Sequence, residues 1–131
     1  MNMKLLRFSA PLLMSVLLFS CSDTEPESYE ANINRLLDEN QYEEAINTLR
    51  KSDQDSLITH RLKVQAHLAY GHYLTHEADH LAMSDRMASA LRHFRRVLEL
   101  DDDNTQAQEH IDLIEGIYRQ MGRDIPEGVA E

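Results

Sequence analysis

The chain is 131 residues long and carries 13 basic and 23 acidic residues, a formal net charge of −10 at pH 7. Proteins that bind nucleic acid need a basic surface for the phosphates, so this balance argues against a nucleic-acid partner. It also argues against attachment to anionic lipid by charge, and a single cysteine excludes a disulfide within the chain.

Residues 1–20 have the layout of a secretory signal peptide. Lys4 and Arg7 come before or at the start of an apolar run from Phe8 to Phe19, which is shorter than the roughly 20 residues that cross a bilayer. The stretch Leu18-Phe19-Ser20-Cys21 resembles a bacterial lipobox. The resemblance implies that the signal peptide is removed and that the cysteine is lipid-modified as the new N-terminus.

A lipid on Cys21 implies attachment to a membrane through its acyl chains. The alternative is ordinary cleavage after Ser22, which discards the cysteine. Residues 21–28 are expected to form the lipidated cysteine and a short acidic tether, since they are polar and contain Pro26. Ser22 stands where an aspartate would resemble the inner-membrane retention signal, so the expected location is the outer membrane, facing the periplasm or the cell surface.

The helical periodicity of apolar residues over 29–123 predicts one all-α domain of about five helices, followed by a C-terminal tail at 124–131. The chain has only 4 Gly and 3 Pro, and no β-branched run alternates with polar residues, so strands have little support. A break at Asn40 separates the first two helices, and Asp53 to Ser56 offer capping side chains for the third.

The third helix is predicted to lie in the middle of the domain, because it carries apolar residues on two sides. One stripe contains Ile58, Leu62, Ala66, Ala69 and Tyr73, and the other contains Leu57, Val64 and Leu68. The fourth helix has an apolar face with the basic residues Arg92, Arg95 and Arg96 largely elsewhere. The fifth is expected to begin at Asn104 or Thr105 and to end before Gly122.

Two segments, LLDENQYEEAINTLRKS at 36–52 and ASALRHFRRVLELDDDNTQA at 88–107, resemble the tetratricopeptide repeat. Ala45 and Leu49 match its small and large apolar positions in the first segment, and Ala90 and Phe94 match them in the second. The resemblance implies a right-handed array of antiparallel helix-turn-helix pairs. Ala45 and Ala90 are 45 positions apart, more than the usual period of about 34, so the middle hairpin is expected to be elongated.

A polar stripe on the third helix, formed by His60, Lys63, His67 and Tyr70, is the predicted partner-binding surface. The resemblance implies that the first helix of each pair lines a concave side that binds peptides or partner helices. The basic character of the stripe suits an acidic segment or a C-terminal carboxylate, whereas an ordinary solvated face is the alternative. The expected function is a non-enzymatic adaptor or scaffold with protein partners in the cell envelope, such as a subunit of an assembly or export complex. So short an array leaves apolar end surfaces for a partner or a second copy.

Residues 76–80, HEADH, match the H-E-x-x-H pattern of zinc hydrolases, in which two histidines on one helical face bind zinc. His72 adds a third imidazole on the same side, so His72, His76 and His80 define an alternative function as a metal-binding protein or zinc hydrolase. Asp79 places a charge inside the motif, which falls near the tip of the elongated hairpin. We therefore expect polar residues at a helix end, with no catalytic residue and no cofactor.

Overall fold

The computed structural model describes residues 28–52 and 55–131, which form five helices and no strand. The helices are α1 (Tyr29–Asp38), α2 (Tyr42–Lys51), α3 (Leu57–His76), α4 (Met83–Leu100) and α5 (Thr105–Gln120). This confirms the prediction of an all-helical chain with about five helices. None of the helices in the described ranges is long and apolar enough to cross a membrane.

Three of the helices begin at a side-chain cap. The Ser28, Ser56 and Asn104 side chains accept hydrogen bonds from the backbone N–H three residues later, at 3.1, 3.1 and 3.0 Å. These bonds satisfy donors that have no partner inside the helix. Asn40, at the predicted break between α1 and α2, has a φ of 60°, and Gly122 has a φ of 62° just after α5.

α3 lies in the middle of the domain and contacts α1, α2 and α4, while α5 packs against α4. One core cluster joins α1, α2 and the first half of α3; its members are Ile33, Leu36, Leu37, Tyr42, Ala45, Leu49, Leu62 and Ala66. The second joins the end of α3 to α4 and α5 around Leu74, Leu91, Phe94 and Ile114. Tyr70 and Tyr73 pack against both clusters, so one continuous apolar interior holds the helices together.

The predicted apolar stripes of α3 are correct in the middle of the helix and wrong at its start. Leu57 and Ile58 are 90% and 50% exposed, so burial along α3 begins at Thr59. His67 and Gly71, which belong to neither stripe, are buried. Gly71 is buried because the Phe94 ring lies against it, so close that an added Cβ would meet ring atoms at 2.8 and 2.9 Å.

The two central helices are the longest. α3 and α4 have 20 and 18 residues, whereas α1 and α2 have 10 each. α3 ends at His76, where the backbone N–H of Glu77 donates to the Tyr73 carbonyl at 2.8 Å. Residues 77–82 then form the loop at the tip of the α3–α4 hairpin.

Candidate functional site

The predicted partner-binding stripe on α3 does not form one open face. His60 is exposed, and its Nε2 lies 2.8 Å from the Leu100 carbonyl, to which it donates as the Nε2–H tautomer. Lys63 is half-buried and His67 is only 4% exposed. Tyr70 is half-buried as well, and its hydroxyl donates to Glu43 at 2.8 Å. Packing of α2 and α4 against α3 buries His67 and half-buries Lys63 and Tyr70, so the alternative of a fully solvated face does not hold. Partner binding by these four residues stays a prediction.

His67 forms a buried pair with His93 of α4. Their Nδ1 atoms lie 2.9 Å apart, and both side chains are less than a tenth exposed. Burial first, and then the positive charges of Arg96 and Lys63, lower the pKa of His67 to about 4. Burial first, and then electrostatic repulsion from His67 and Arg92, lower the pKa of His93 to about 3. The pair is therefore neutral near pH 7, with one ring donating its proton and the other accepting it.

Three tyrosines connect α2 to α3 beside this pair. The Tyr42 ring lies 5.3 Å from the Tyr70 ring and 5.2 Å from the Tyr73 ring, measured between centroids. Burial, and then the hydrogen bond to Glu43, raises the pKa of Tyr70, so its hydroxyl stays protonated and donates. Aromatic pairs at these separations stabilise packing beyond their buried area. Tyr70 is thus a structural contact between two helices, and removing its ring would disturb the fold as well as any binding surface.

A groove runs between α2 and α4, with α3 as its floor; we call it the α2–α4 groove. It contains a hollow of about 80 Å³ lined by Ile46, Leu49, Arg50, Lys63, His67, Arg96 and Glu131. Lys63 and His67 of the predicted stripe therefore face this groove. The sequence analysis grouped Arg96 with the basic residues Arg92 and Arg95 of the fourth helix. It did not predict that Arg50, 46 positions earlier, would lie beside Arg96.

The tail, residues 124–131, folds back over α4 toward the α2–α4 groove. Ile125 packs against the second core cluster. The Arg95 guanidinium donates to the carbonyls of Pro126 and Gly128 at 2.7 and 3.3 Å. The Ala130 N–H donates to the Arg92 carbonyl at 3.1 Å. The tail is thus held at several points through its backbone. The sequence predicted a tail after the domain but did not predict these contacts.

The last contact of the tail is an ion pair between Glu131 and Arg50, with 3.2 Å between the charged atoms. The two side chains are 89% and 54% exposed, so this pair contributes little to stability. Across the groove, Arg96 pairs with Glu99 at 2.7 Å. Lys63 forms no ion pair with any residue in the described ranges 28–52 and 55–131. The groove is therefore a locally basic surface on an acidic protein.

The histidines at the hairpin tip do not form the site that H-E-x-x-H suggests. Because α3 ends at His76, His80 lies in the following loop, and the two histidines do not share a helical face. The His72 and His76 rings instead lie 5.8 and 6.0 Å from the His110 ring of α5, and 4.5 Å from each other, between centroids. Among the described residues, no group of three His, Cys, Asp or Glu side chains is arranged to hold a metal ion.

His110 stacks on the buried Phe94 ring, with 4.5 Å between centroids and an interplanar angle of 6°. Its pKa is lowered, first by burial and then by His72 and His76. The sequence analysis did not include His110 in the histidine group, because it lies 30 positions after His80 on another helix. Its contact with Phe94 gives the ring a packing role between α4 and α5.

Exposed apolar residues lie where α4 begins and α5 ends. Met83 and Met121 are 56% and 55% exposed, and both line a small hollow with Met87 and Tyr118. Apolar surface is therefore exposed where these two helix ends meet, and its burial by a partner or a second copy stays a prediction.

Cys21, the predicted lipidation site, and the signal peptide lie outside the described residues. Comparison of the chain with protein-family models, with curated protein sequences and with solved structures gave no match.

Proposed function

We propose that this protein is a tetratricopeptide-like adaptor, anchored in the bacterial outer membrane by a lipid on Cys21, that binds a protein partner and has no catalytic activity. The observation that carries the proposal is the α2–α4 groove, where the basic side chains of Arg50, Lys63 and Arg96 lie together and the last residue of the tail, Glu131, already pairs with Arg50. Contacts between neighbouring helices, α1 with α2, α3 with both, and α4 with α3 and α5, support the array.

A binding role also fits the chemistry of the site. The buried histidine pair has low pKa values; the His93 ring lies 4.6 Å from the Tyr70 ring between centroids, and His67, which borders the groove, has its Nδ1 engaged by His93. General acid–base catalysis requires a group within hydrogen-bond reach of a bound substrate. The groove residues offer charge and apolar contact, which are the properties of a peptide-binding surface.

Photo-crosslinking of the full-length lipoprotein in its own membrane tests the adaptor function. A crosslinker near the groove is expected to capture a partner from the wild-type protein and to lose it in Lys63→Glu. Arg123→Glu is the matched control, because it makes the same change of charge on an exposed residue outside the groove. Equal capture by both variants would place the partner elsewhere, and the absence of any partner would contradict the adaptor function.

Membrane anchoring has a separate test. Cys21→Ser is expected to move the protein from the membrane fraction to the soluble fraction and to abolish incorporation of labelled fatty acid. Retention in the outer membrane without acylation would overturn the lipoprotein assignment while leaving the adaptor function untouched.

A further inference from the structure

The tail has the properties of a peptide that occupies a binding site and can leave it. Its polar contacts are three backbone hydrogen bonds and one exposed ion pair, and Ile125, Pro126 and Ala130 are only half-buried. Residues 127–129 and Glu131 are exposed. Segments with few buried contacts open at a small fraction of the free energy of global unfolding, so the tail can detach while the helices stay folded.

The charge of the α2–α4 groove matches an acidic occupant. Arg50, Lys63 and Arg96 line it, in a chain whose formal net charge is −10. The side-chain Nε of Arg96 is buried and has no hydrogen-bond partner among the described residues. After burial, the charges of Arg96 and Lys63 lower the pKa of His67, which is the effect of a positive potential at the groove floor.

The tail occupies this surface only in part. Glu131 reaches Arg50 at the edge, but the hollow beside it, with Lys63 in its wall, stays open. A longer acidic peptide that follows the path of the tail would reach Lys63 and Arg96 as well as Arg50. Such a peptide gains charge-assisted contacts that the tail does not make.

We propose that the α2–α4 groove binds an extended acidic peptide segment of a partner protein, and that the tail, whose Glu131 lies on Arg50 at the edge of the groove, acts as an internal competitor until that segment displaces it. This inference rests on the proposed adaptor function and names the chemistry of its partner. The tail acts as an intramolecular ligand, whose effective concentration for a short flexible connection is about millimolar. It therefore weakens every external ligand of the same groove.

The probe is a fluorescent peptide with the sequence of residues 124–131, DIPEGVAE, titrated onto full-length protein with fluorescence polarisation as the readout. The released variant combines Ile125→Ser, which removes the apolar contact, with Ala130→Pro, which removes the N–H that donates to Arg92. The peptide is expected to bind the released variant about ten-fold or more tightly than the wild type. Circular dichroism and thermal melting check that the helices are retained.

Two matched substitutions distinguish recognition of charge from nonspecific peptide binding. Arg50→Glu, added to the released variant, is expected to reduce peptide affinity by about ten-fold or more, whereas Arg123→Glu leaves it unchanged. A peptide with glutamine in place of both glutamates is expected to bind correspondingly weakly. If the released variant does not fold, Glu131→Gln replaces it, because that change removes the ion pair with Arg50 and adds no positive charge to the groove.

Equal affinity of wild-type and released proteins for the peptide would overturn self-occupation. Equal binding of the glutamine peptide would overturn recognition of acidic groups. If either occurs while membrane crosslinking still captures a partner that Lys63→Glu abolishes, the adaptor function stands and this inference alone falls.

Discussion

The Nδ1 atoms of His67 and His93 lie 2.9 Å apart in the contact between α3 and α4. One imidazole must carry its proton at Nδ1 and the other must leave Nδ1 free to accept it, so the two rings have opposite tautomers. Once both are protonated, two N–H groups point at each other between Lys63, Arg92 and Arg96. The contact between the two longest helices therefore depends on at least one neutral ring.

We expect acidification to destabilise the domain through this pair. The folded-state pKa of His67 is about 4, below the ordinary value of about 6.5, so the unfolded chain binds more protons between these values. Stability is then fully present above about pH 6.5 and is lost as the pH falls toward 4. Each unit of pKa is worth about 1.4 kcal/mol, so the loss through His67 amounts to about 3 kcal/mol. Urea unfolding at intervals from pH 8 to pH 4 measures it.

The matched control for the acid effect replaces both rings, His67→Phe with His93→Phe, so that an apolar pair fills a similar volume. The free energy of unfolding of this double variant is expected to fall less steeply below pH 6.5 than that of the wild type. His110, whose pKa is also lowered, leaves a residual slope of the same sign. Identical pH profiles for the two proteins would show that the pair does not sense acid.

The same substitution is expected to have opposite effects at two helical glycines. In Gly71→Ala, the new Cβ meets Phe94 ring atoms at 2.8 and 2.9 Å, and overpacking of this kind costs about 1–3 kcal/mol. In Gly116→Ala, nothing lies within 4 Å of the Cβ, and alanine stabilises a helix by about 0.5–1 kcal/mol relative to glycine. Chemical denaturation of both variants measures the difference, and a stabilised Gly71→Ala protein would contradict the close approach of Phe94.

Sequence periodicity found the five helices because each has an apolar face or a capping residue that local spacing reveals. It placed the middle of α3 correctly at Leu62 and Ala66 for the same reason. It failed at Gly71 and His67, which are buried because of Phe94 and His93 on another helix. Pairings between positions more than twenty residues apart leave no local pattern in one sequence.

The candidate groove was still harder to foresee. Lys63 and His67 were recognised as part of a polar stripe, but a stripe on one helix does not say which neighbour covers it. The path of the tail depends on backbone contacts with Arg92 and Arg95, and backbone atoms are the same in every residue. Composition therefore identified residues 124–131 as a tail and could not indicate where they lie.

A further prediction concerns the start of α5, for which the sequence allowed either Asn104 or Thr105 as the N-cap. The Asn104 side chain accepts from the Ala107 N–H at 3.0 Å, and Thr105 is the first helical residue. Asn104→Ala is expected to lower the free energy of unfolding by about 0.5–2 kcal/mol, because that N–H loses its partner. Thr105→Ala is the control and is expected to change stability by less than about 0.5 kcal/mol. The reverse order in thermal or urea unfolding would assign the cap to Thr105.

The last prediction concerns HEADH. Because α3 ends at His76, Glu77 and His80 lie in the loop and cannot adopt the one-face geometry that H-E-x-x-H requires on a helix. The protein, purified without a histidine tag, is expected to contain no stoichiometric zinc, and His80→Ala is expected to change neither metal content nor melting temperature. Elemental analysis and thermal melting with and without added zinc measure both. One equivalent of zinc that disappears in His80→Ala would revive the hydrolase hypothesis. Zinc lost in His110→Ala but kept in His80→Ala would instead assign the metal to the rings of α3 and α5.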